Sequence, residues 1–275
     1  MHPLLLGAAG IAALLAVLAY RADEPEDTWH RIRRTRTVRI GYAPEAPFAY
    51  RTPAGEVTGF DPELARQVFR RRGIDRIEWV QTEFRSLIPE LLAGRFDMIA
   101  AGMVITPERT TAVAFSRPTF AVPPALLVRE GEAARWADLG RLRDDRSASI
   151  AVLTGAFEEQ VVRAAGIPSA RVLRVPDAVT GFESVRSGRV AALALTAPTV
   201  QHLAQQGDGL AIVRLQLGDP TVHDTGVARG AFAFRPTDEA LRGMVDVELR
   251  DLVGSAEHRA LARRFGFADA DLPSP

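Results

Sequence analysis

FRSLIPELLAGRFDMIAAGMVITPERTTAVAFSRP, residues 84–118, contains the signals of a helix, a turn, a buried strand and a loop in immediate succession. Gly94 is suited to end the helix. Residues 97–101, DMIAA, form an apolar run that predicts a strand covered on both faces of a parallel sheet. The helix is predicted from four apolar residues that share one face: Leu87, Ile88, Leu91 and Leu92.

The loop after this strand predicts a ligand-binding position. It carries Gly102, Thr106 and Arg109. Ligands of open α/β sheets bind beyond the carboxyl ends of the strands. The planar guanidinium of an arginine there can donate two parallel hydrogen bonds to a carboxylate or phosphate.

The elements around this stretch predict an α/β protein. Residues 37–117 give strand, helix, strand, helix and strand, which is typical of a parallel sheet. A second βα series lies within residues 118–229, and residues 230–269 return to the first unit, with residues 270–275 as a frayed tail. Two crossings fit two lobes joined by a hinge, although spacing alone only permits that topology.

Composition excludes several functions. At 275 residues the chain is long enough for one large domain or two lobes. Its formal net charge of zero favours neither nucleic acid nor an anionic membrane surface as a partner. Cysteine is absent, which excludes disulfides, thiolate metal sites and a lipid-modified cysteine. The 34 basic residues are all arginine, which we interpret as genomic codon bias.

The N-terminus predicts export. Residues 3–20 carry no charge, and their length lies between a signal-peptide core and a membrane span. A cleaved signal and an uncleaved anchor remain alternatives, and both place the rest outside the cytoplasm. Residues 21–36 are polar and are interpreted as a linker, with a short helix as the alternative.

Two motifs carry a family resemblance. LIPELLAGRFDMIAAGMVITPERTTAVAFSRP and GFDPELA (Gly59 to Ala65) resemble the signatures of the family 3 extracellular solute-binding proteins of bacterial ABC importers. The resemblance runs from about Val38 to about Pro273. It implies a two-lobed periplasmic-binding-protein-like fold (type II), a monomer that closes on a small solute, and an ABC permease as partner.

Four further blocks resemble the branch of that family that binds ectoine and hydroxyectoine. They are IGYAPEAPFAY, TEFRSLIPELLAGRFDMIAAGMVITPERT, SGRVAALALTAPTV and FGFADADLP. The branch implies a zwitterionic compatible solute as ligand.

The resemblance assigns the ligand carboxylate to two elements. Arg109 falls where the family grips the carboxylate. Gly155, Ala156 and Phe157 lie at a predicted helix start, where free N–H groups favour an anion. An ordinary helix start is the alternative interpretation.

The cationic part of the ligand is assigned to aromatic and acidic positions. Phe48 and Phe84 fall where the family stacks rings on the ligand, with the hydrophobic core as the alternative for both. Val104 stands where the ectoine branch has a third ring. Glu45 falls where a carboxylate meets the cation, or is a solvated loop charge. Thr196 replaces the usual aspartate that binds an α-ammonium.

These positions favour ectoine-like or betaine-like zwitterions over arginine, glutamate or glutamine. The alternatives are an amino-acid-binding protein of the same family, a periplasmic dehydratase on this fold, and a sensor input domain. The chain ends without a second membrane segment or kinase, which disfavours the sensor. The five histidines show no metal-binding spacing, so neither metal nor cofactor is expected.

Overall fold

The computed structural model describes residues 27–215 and 227–273 as two lobes, each built on a five-stranded sheet with flanking helices. Lobe 1 comprises residues 27–119 and 231–273, and lobe 2 comprises residues 123–215. This confirms the α/β class and the two-lobed architecture.

Lobe 1 begins with a helix and builds most of its sheet before the chain crosses. Its elements to that point are α1 (Thr28–Thr35), β1 (Thr37–Tyr42), β2 (Tyr50–Arg51), β3 (Val57–Thr58), α2 (Phe60–Arg70), β4 (Arg76–Gln81), a 3-10 turn (Phe84–Ser86), α3 (Leu87–Leu92), β5 (Met98–Ile99), α4 (Pro107–Thr110) and β6 (Ala114–Phe115).

The chain then crosses, builds lobe 2 and returns. The remaining elements are β7 (Phe120–Val122), β8 (Pro124–Arg129), α5 (Leu139–Asp144), β9 (Ile150–Leu153), α6 (Phe157–Ala164), β10 (Val172–Val175), α7 (Ala178–Arg186), β11 (Ala192–Thr196), α8 (Ala197–Ala204), β12 (Leu210–Arg214), β13 (Ala228–Gly230), β14 (Ala233–Phe234), α9 (Glu239–Leu252) and α10 (Ala256–Arg264). Three further 3-10 turns are Glu130–Glu132, Ser169–Arg171 and Asp269–Asp271.

Both sheets combine parallel and antiparallel pairs. The lobe 1 order is β4-β1-β5-β14-β6, with β1 parallel to β4 and β5. The returning strand β14 is antiparallel to β5 and β6. The lobe 2 order is β10-β9-β11-β8-β12, with a parallel core of β10, β9 and β11. The parallel strands follow from the βα repeats, and the antiparallel ones from the crossings.

The two crossings lie side by side as the hinge. β7 and β13 form an antiparallel pair in which Ala228 faces Val122 and Gly230 faces Phe120. A Cβ at Gly230 would lie 1.8 Å from the Phe120 ring, so only glycine fits there. The predicted crossings near residues 118 and 230 therefore coincide with this pair.

The interpretation of residues 21–36 as a linker is wrong for the part that the structure describes. Residues 28–35 form α1, and Asp27 caps it by accepting hydrogen bonds from two backbone N–H groups. Ile32 is fully buried in the lobe 1 core, and Arg31 forms an ion pair with the buried Asp97 at 2.6 Å. The alternative, a short helix, is confirmed for residues 28–35, whereas its docking on the lobe 1 core was not predicted.

The prediction of a frayed tail is also wrong as far as residue 273. Asp271 is buried and accepts a hydrogen bond from the Ala268 N–H at 2.8 Å, and Leu272 contacts the lobe 1 core. The predicted signal or anchor at residues 1–20 lies outside the described residues. Within the described residues, no helix is both long enough and apolar enough to cross a membrane.

Candidate functional site

The candidate site lies where strand ends of both lobes meet. Lobe 1 contributes the loop after β1, the turn before α3 and the loop after β5. Lobe 2 contributes the starts of α6 and α8. The lobes are in direct contact: besides the site itself, the Gln160 side chain donates to Glu108 Oε2 across the boundary at 2.8 Å.

Glu45 reaches lobe 2 from a tightly folded loop. Its backbone exchanges hydrogen bonds with Ala49 at 2.7 and 3.0 Å, which narrows the loop. Its side chain is buried, and Oε1 accepts a hydrogen bond from the Thr199 hydroxyl of α8 at 2.8 Å. The Thr199 and Thr196 hydroxyls lie 3.2 Å apart. Glu45 therefore lies at the lobe boundary and is not a solvated loop charge, and its contact with a ligand cation stays a prediction.

Arg109 is held in place by its own short helix. The Thr106 hydroxyl caps α4 by accepting the Arg109 backbone N–H at 3.2 Å. The guanidinium is buried, with 7% of the residue exposed. It donates to the Val104 carbonyl at 2.6 Å and, across the boundary, to the Gly155 carbonyl at 2.9 Å. A guanidinium has five N–H donors, so donors remain for a ligand.

Phe84 lies beside this guanidinium. Its ring centroid is 5.6 Å from the Arg109 Cζ, within the range of a cation–π contact. Phe84 also belongs to the core cluster that contains Leu87 and Leu91, which confirms the core interpretation, whereas its stacking on a ligand stays a prediction. A cavity of about 460 Å³ adjoins its ring and is lined from lobe 2 by Leu153.

Phe48 is a core residue, and its prediction as a stacking ring for the ligand is wrong. Only 1% of it is exposed, and its ring centroid lies 4.8 Å from that of Phe120 and 5.3 Å from that of Phe267. The backbone explains this orientation. Phe48 and Pro47 accept hydrogen bonds from the first N–H groups of α2, which turns Phe48 into lobe 1 while Glu45 points away.

Gly102 and Val104 shape the Arg109 loop. Gly102 has a φ of 65°, and a Cβ there would lie 2.7 Å from the Phe48 ring. The Val104 side chain is buried among residues of the lobe 2 core, so it does not line an open ligand wall as predicted. The part of Val104 that reaches the site is its carbonyl, which binds Arg109.

The start of α6 differs from the predicted anion site. The Gly155 N–H donates to Glu159 Oε2 at 3.2 Å, and the Ala156 N–H donates to the Leu153 carbonyl at 3.0 Å. The Phe157 side chain is buried in the lobe 2 core. The prediction of free donors is therefore wrong for Gly155 and Ala156, because the Glu159 side chain binds the first N–H and a tight turn binds the second. Gly155 still contributes the carbonyl that binds Arg109.

The sequence interpretation missed Glu158, a buried acid of lobe 2. The side chains of the adjacent Glu158 and Glu159 point in different directions. Glu159 pairs with Arg174 at 2.6 Å, whereas Glu158 turns inward and is 3% exposed. The available signal was the position of Glu158 in the first turn of a helix that begins at the site.

Burial dominates the electrostatics of the site. Burial raises the pKa of Glu45 to about 7, although the Thr199 hydrogen bond and the charge of Arg109 oppose it. Burial, together with the charge of Glu45, raises the pKa of Glu158 to about 8. Burial lowers the pKa of Arg109 to about 10, against the opposing charges of Glu158, Glu108 and Glu45. One cation and two acids thus share a poorly solvated space.

Asp61 supports the site from behind. It lies in the first turn of α2, where Gly59 is the cap residue, and Asp61 Oδ2 accepts the Gly102 N–H at 2.6 Å. Burial raises the pKa of Asp61 to about 7, although backbone hydrogen bonds from Gly102 and Ala101 lower it. Across residues 27–215 and 227–273, no group of three acidic or histidine side chains is placed to hold a metal ion.

Comparisons with known proteins agree with this architecture. The profile of the bacterial extracellular solute-binding proteins, family 3, matches residues 38–268. A probable amino-acid ABC transporter periplasmic-binding protein of Sinorhizobium fredii is 30% identical over 94% of this chain and 86% of its own length. An L-arginine-binding protein of Pseudomonas aeruginosa is 26% identical over 95% of both.

A solved structure of similar fold contains a ligand that is not one of the standard amino acids. The crystal structure of EhuB in complex with hydroxyectoine is 31% identical, with a TM-score of 0.79, and the match covers 88% of this chain and 94% of that one. One enzyme is also related: a cyclohexadienyl dehydratase of Pseudomonas aeruginosa is 29% identical over 67% of this chain and 68% of its own length.

Proposed function

Because the chain belongs to the bacterial extracellular solute-binding proteins of family 3, we propose that it binds a small zwitterion such as ectoine or hydroxyectoine between its lobes. The chain is a solute-binding protein of an amino-acid-type ABC transporter. Membership of the family implies a periplasmic location, a small ligand and a permease.

One arrangement carries the proposal: the buried guanidinium of Arg109 and the buried carboxylate of Glu45 lie in the same boundary between the lobes. A zwitterion matches this pair, because its carboxylate can take the remaining donors of Arg109 while its cation neutralises Glu45. Burial strengthens both contacts, since the local dielectric is lower than that of water.

Lobe closure couples binding to delivery. Arg109 donates to lobe 2, and Thr199 of lobe 2 donates to Glu45, so both charged groups of lobe 1 already contact the opposite lobe. A ligand that binds Arg109 and Glu45 adds further bonds across the same boundary. Such a ligand stabilises the closed form by hinge motion about β7 and β13, and the permease then recognises that form.

The ring chemistry of ectoine supports the choice of ligand. Its cation is delocalised over an amidinium, and such a cation can stack on Phe84, which lies beside Arg109 and lines the adjoining cavity. The similarity to the hydroxyectoine complex of EhuB supports the same class.

An α-amino acid is the second candidate, and one observation favours it. Thr196, in place of the usual aspartate, leaves a primary ammonium without its usual partner in lobe 2. Glu158 supplies another buried carboxylate from lobe 2 that can take this role. The amino-acid-binding relatives in the family agree with this candidate.

The chain functions in binding and not in catalysis, as do most members of its family. A dehydratase on this fold requires a proton donor at the cleft, and the raised pKa values of Glu45 and Glu158 allow either to donate. Recovering the bound ligand and analysing it by NMR separates the two: a receptor returns it unchanged, and an enzyme returns a dehydrated product.

A thermal-shift screen of compatible solutes and amino acids tests the proposal. A ligand at about 100 times its dissociation constant stabilises the folded state by roughly 2.7 kcal/mol, which corresponds to a rise in Tm of roughly 5–11 °C. The proposal expects this rise with ectoine or hydroxyectoine, and a smaller one with arginine, glutamate and glutamine. A rise with an amino acid and none with either ectoine identifies the second candidate as the ligand class.

The remaining expectations about assembly belong to the same proposal. We expect a monomer, since each lobe completes its own sheet and the cleft needs no second copy. Residues 1–20 are proposed as the signal or anchor that places the binding lobes outside the cytoplasm.

A further inference from the structure

The Glu158 carboxyl group is buried without a full set of hydrogen-bond partners among the described residues. It lies in the first turn of α6 and is 3% exposed. Its carboxyl group accepts a hydrogen bond from its own backbone N–H, but Oε1 has no hydrogen-bond partner among the described residues. A buried oxygen without a donor is costly, and native proteins seldom retain one without a use.

The surroundings of Glu158 exclude a purely structural ion pair. The charged groups that act on it are Glu45 and Arg109, both from lobe 1. The donors of Arg109 that contact protein bind the carbonyls of Val104 and Gly155, and none binds Glu158. Glu158 therefore faces the site across the lobe boundary, and among the described residues its Oε1 has no hydrogen-bond partner.

Counting charges shows what the site lacks. When both acids are ionised, Arg109 balances only one of Glu45 and Glu158, and a ligand carboxylate adds another negative charge. The site thus lacks positive charge and hydrogen-bond donors for the two acids. A ligand cation that donates hydrogen bonds in two directions supplies both, because each acid gains a donor and the repulsion between the acids falls.

We infer that Glu158 is a specificity-determining residue, and that it and Glu45 hold the ligand cation between the lobes through N–H donors. The ligand class is then a carboxylate joined to an N–H-bearing cation, such as an amidinium, a guanidinium or an ammonium. A quaternary ammonium is excluded, since it brings charge but no donor for Oε1. This inference rests on the proposed function and narrows it, because betaines no longer fit.

Calorimetric titration of the wild type with ectoine and glycine betaine, both zwitterions, is the first test. Glu158→Gln keeps the shape of the side chain and removes its charge, and Glu183→Gln, on the exposed face of α7, is the matched control. We expect Glu158→Gln to weaken ectoine binding by about 10- to 100-fold, as for a hydrogen bond to a charged group, and Glu183→Gln to change it by less than about 2-fold. Glycine betaine should bind the wild type at least about 10-fold more weakly than ectoine.

Proton release separates a direct role from a structural one. Titration in two buffers of different ionisation enthalpy counts the protons released on binding. The wild type should release protons as the ligand cation favours the charged acids, and Glu158→Gln should release fewer. A variant that was only misfolded would lose affinity without this specific change.

Three results would overturn the inference. They are unchanged ectoine affinity in Glu158→Gln, equal affinity of the wild type for ectoine and glycine betaine, and equal proton release by both proteins. If Glu158→Gln does not unfold cooperatively, the wild-type comparison decides alone. If the wild type binds an α-amino acid and not ectoine, the ectoine proposal fails separately, and the same comparison uses that amino acid and its N-trimethyl derivative. Absence of binding by every zwitterion contradicts both proposals.

Discussion

Replacing Arg109 with alanine removes the group to which the site assigns the ligand carboxylate. The loss includes a charge-assisted contact to the ligand and the two hydrogen bonds to Val104 and Gly155. Truncating one partner of a buried, hydrogen-bonded charge pair costs about 2–5 kcal/mol. At 1.4 kcal/mol per decade, affinity should fall by about 30-fold to several thousand-fold.

The fold should survive this replacement. The two carbonyls lose their donor, which costs on the order of 1–3 kcal/mol at a buried position. The nearby acids do not become unpaired buried charges, because burial already raises the pKa of Glu45 to about 7 and that of Glu158 to about 8, so both can remain protonated. We expect a cooperative thermal transition at a reduced Tm.

Isothermal titration calorimetry against the ligand found by screening measures the effect. Arg186→Ala is the matched control, because that arginine lies on α7 and, within the described part of the chain, pairs only with the exposed Glu183 at 3.1 Å. It should leave affinity unchanged. Arg109→Lys should recover part of the loss, since an ammonium keeps the charge but not the planar fork. Unchanged affinity in a folded Arg109→Ala protein would refute the assignment of the site.

Three further predictions follow from the same contacts. Deleting residues 1–26 should leave a folded, monomeric, ligand-binding protein. Removing Asp27 and Thr28 as well should lower Tm, because Asp27 caps α1 and the Thr28 hydroxyl donates to Asp238 at 2.7 Å. Thermal denaturation of both truncated proteins measures this difference. Val104→Phe should destabilise the fold by about 1–3 kcal/mol through overpacking and should not strengthen binding, which denaturant unfolding and calorimetry measure together. The Tm of the empty protein should fall as pH rises from 5 towards 8. The pKa values of Glu45 and Glu158 are raised in the folded state, so their contribution to stability is complete below the pKa values of the unfolded chain and is lost as the folded acids ionise. A Tm that rises across this range would contradict the buried environment of the pair.

Local sequence signals predicted most of the fold because they act over a few residues. The turn at Gly94 and the apolar run of β5 lie where residues 84–118 placed them. The predicted apolar face of α3 is confirmed for Leu87 and Leu91, which are buried, and Ile88 packs against the core, but the prediction is wrong for Leu92, which is 46% exposed. The antiparallel returns were not predicted, since strand direction at a crossing depends on how the two lobes meet.

The site was predicted less completely, because side-chain direction depends on distant contacts. Phe48 and Glu45 share one loop, yet backbone hydrogen bonds to α2 turn one into the core and leave the other at the boundary. Glu158 and Glu159 are adjacent, and the ion pair of Glu159 with Arg174, together with its hydrogen bond from the Gly155 N–H, explains which of the two points outward. The sequence contained these residues but not the contacts that orient them.

Calorimetric titration of residues 27–275 with ectoine tests the central claim most directly. The account predicts saturable binding of one ligand per chain with a dissociation constant of about 1 μM or below, equivalent to about 8 kcal/mol, and its loss in Arg109→Ala. Micromolar binding of an ordinary α-amino acid, with no heat from ectoine or hydroxyectoine, would contradict it.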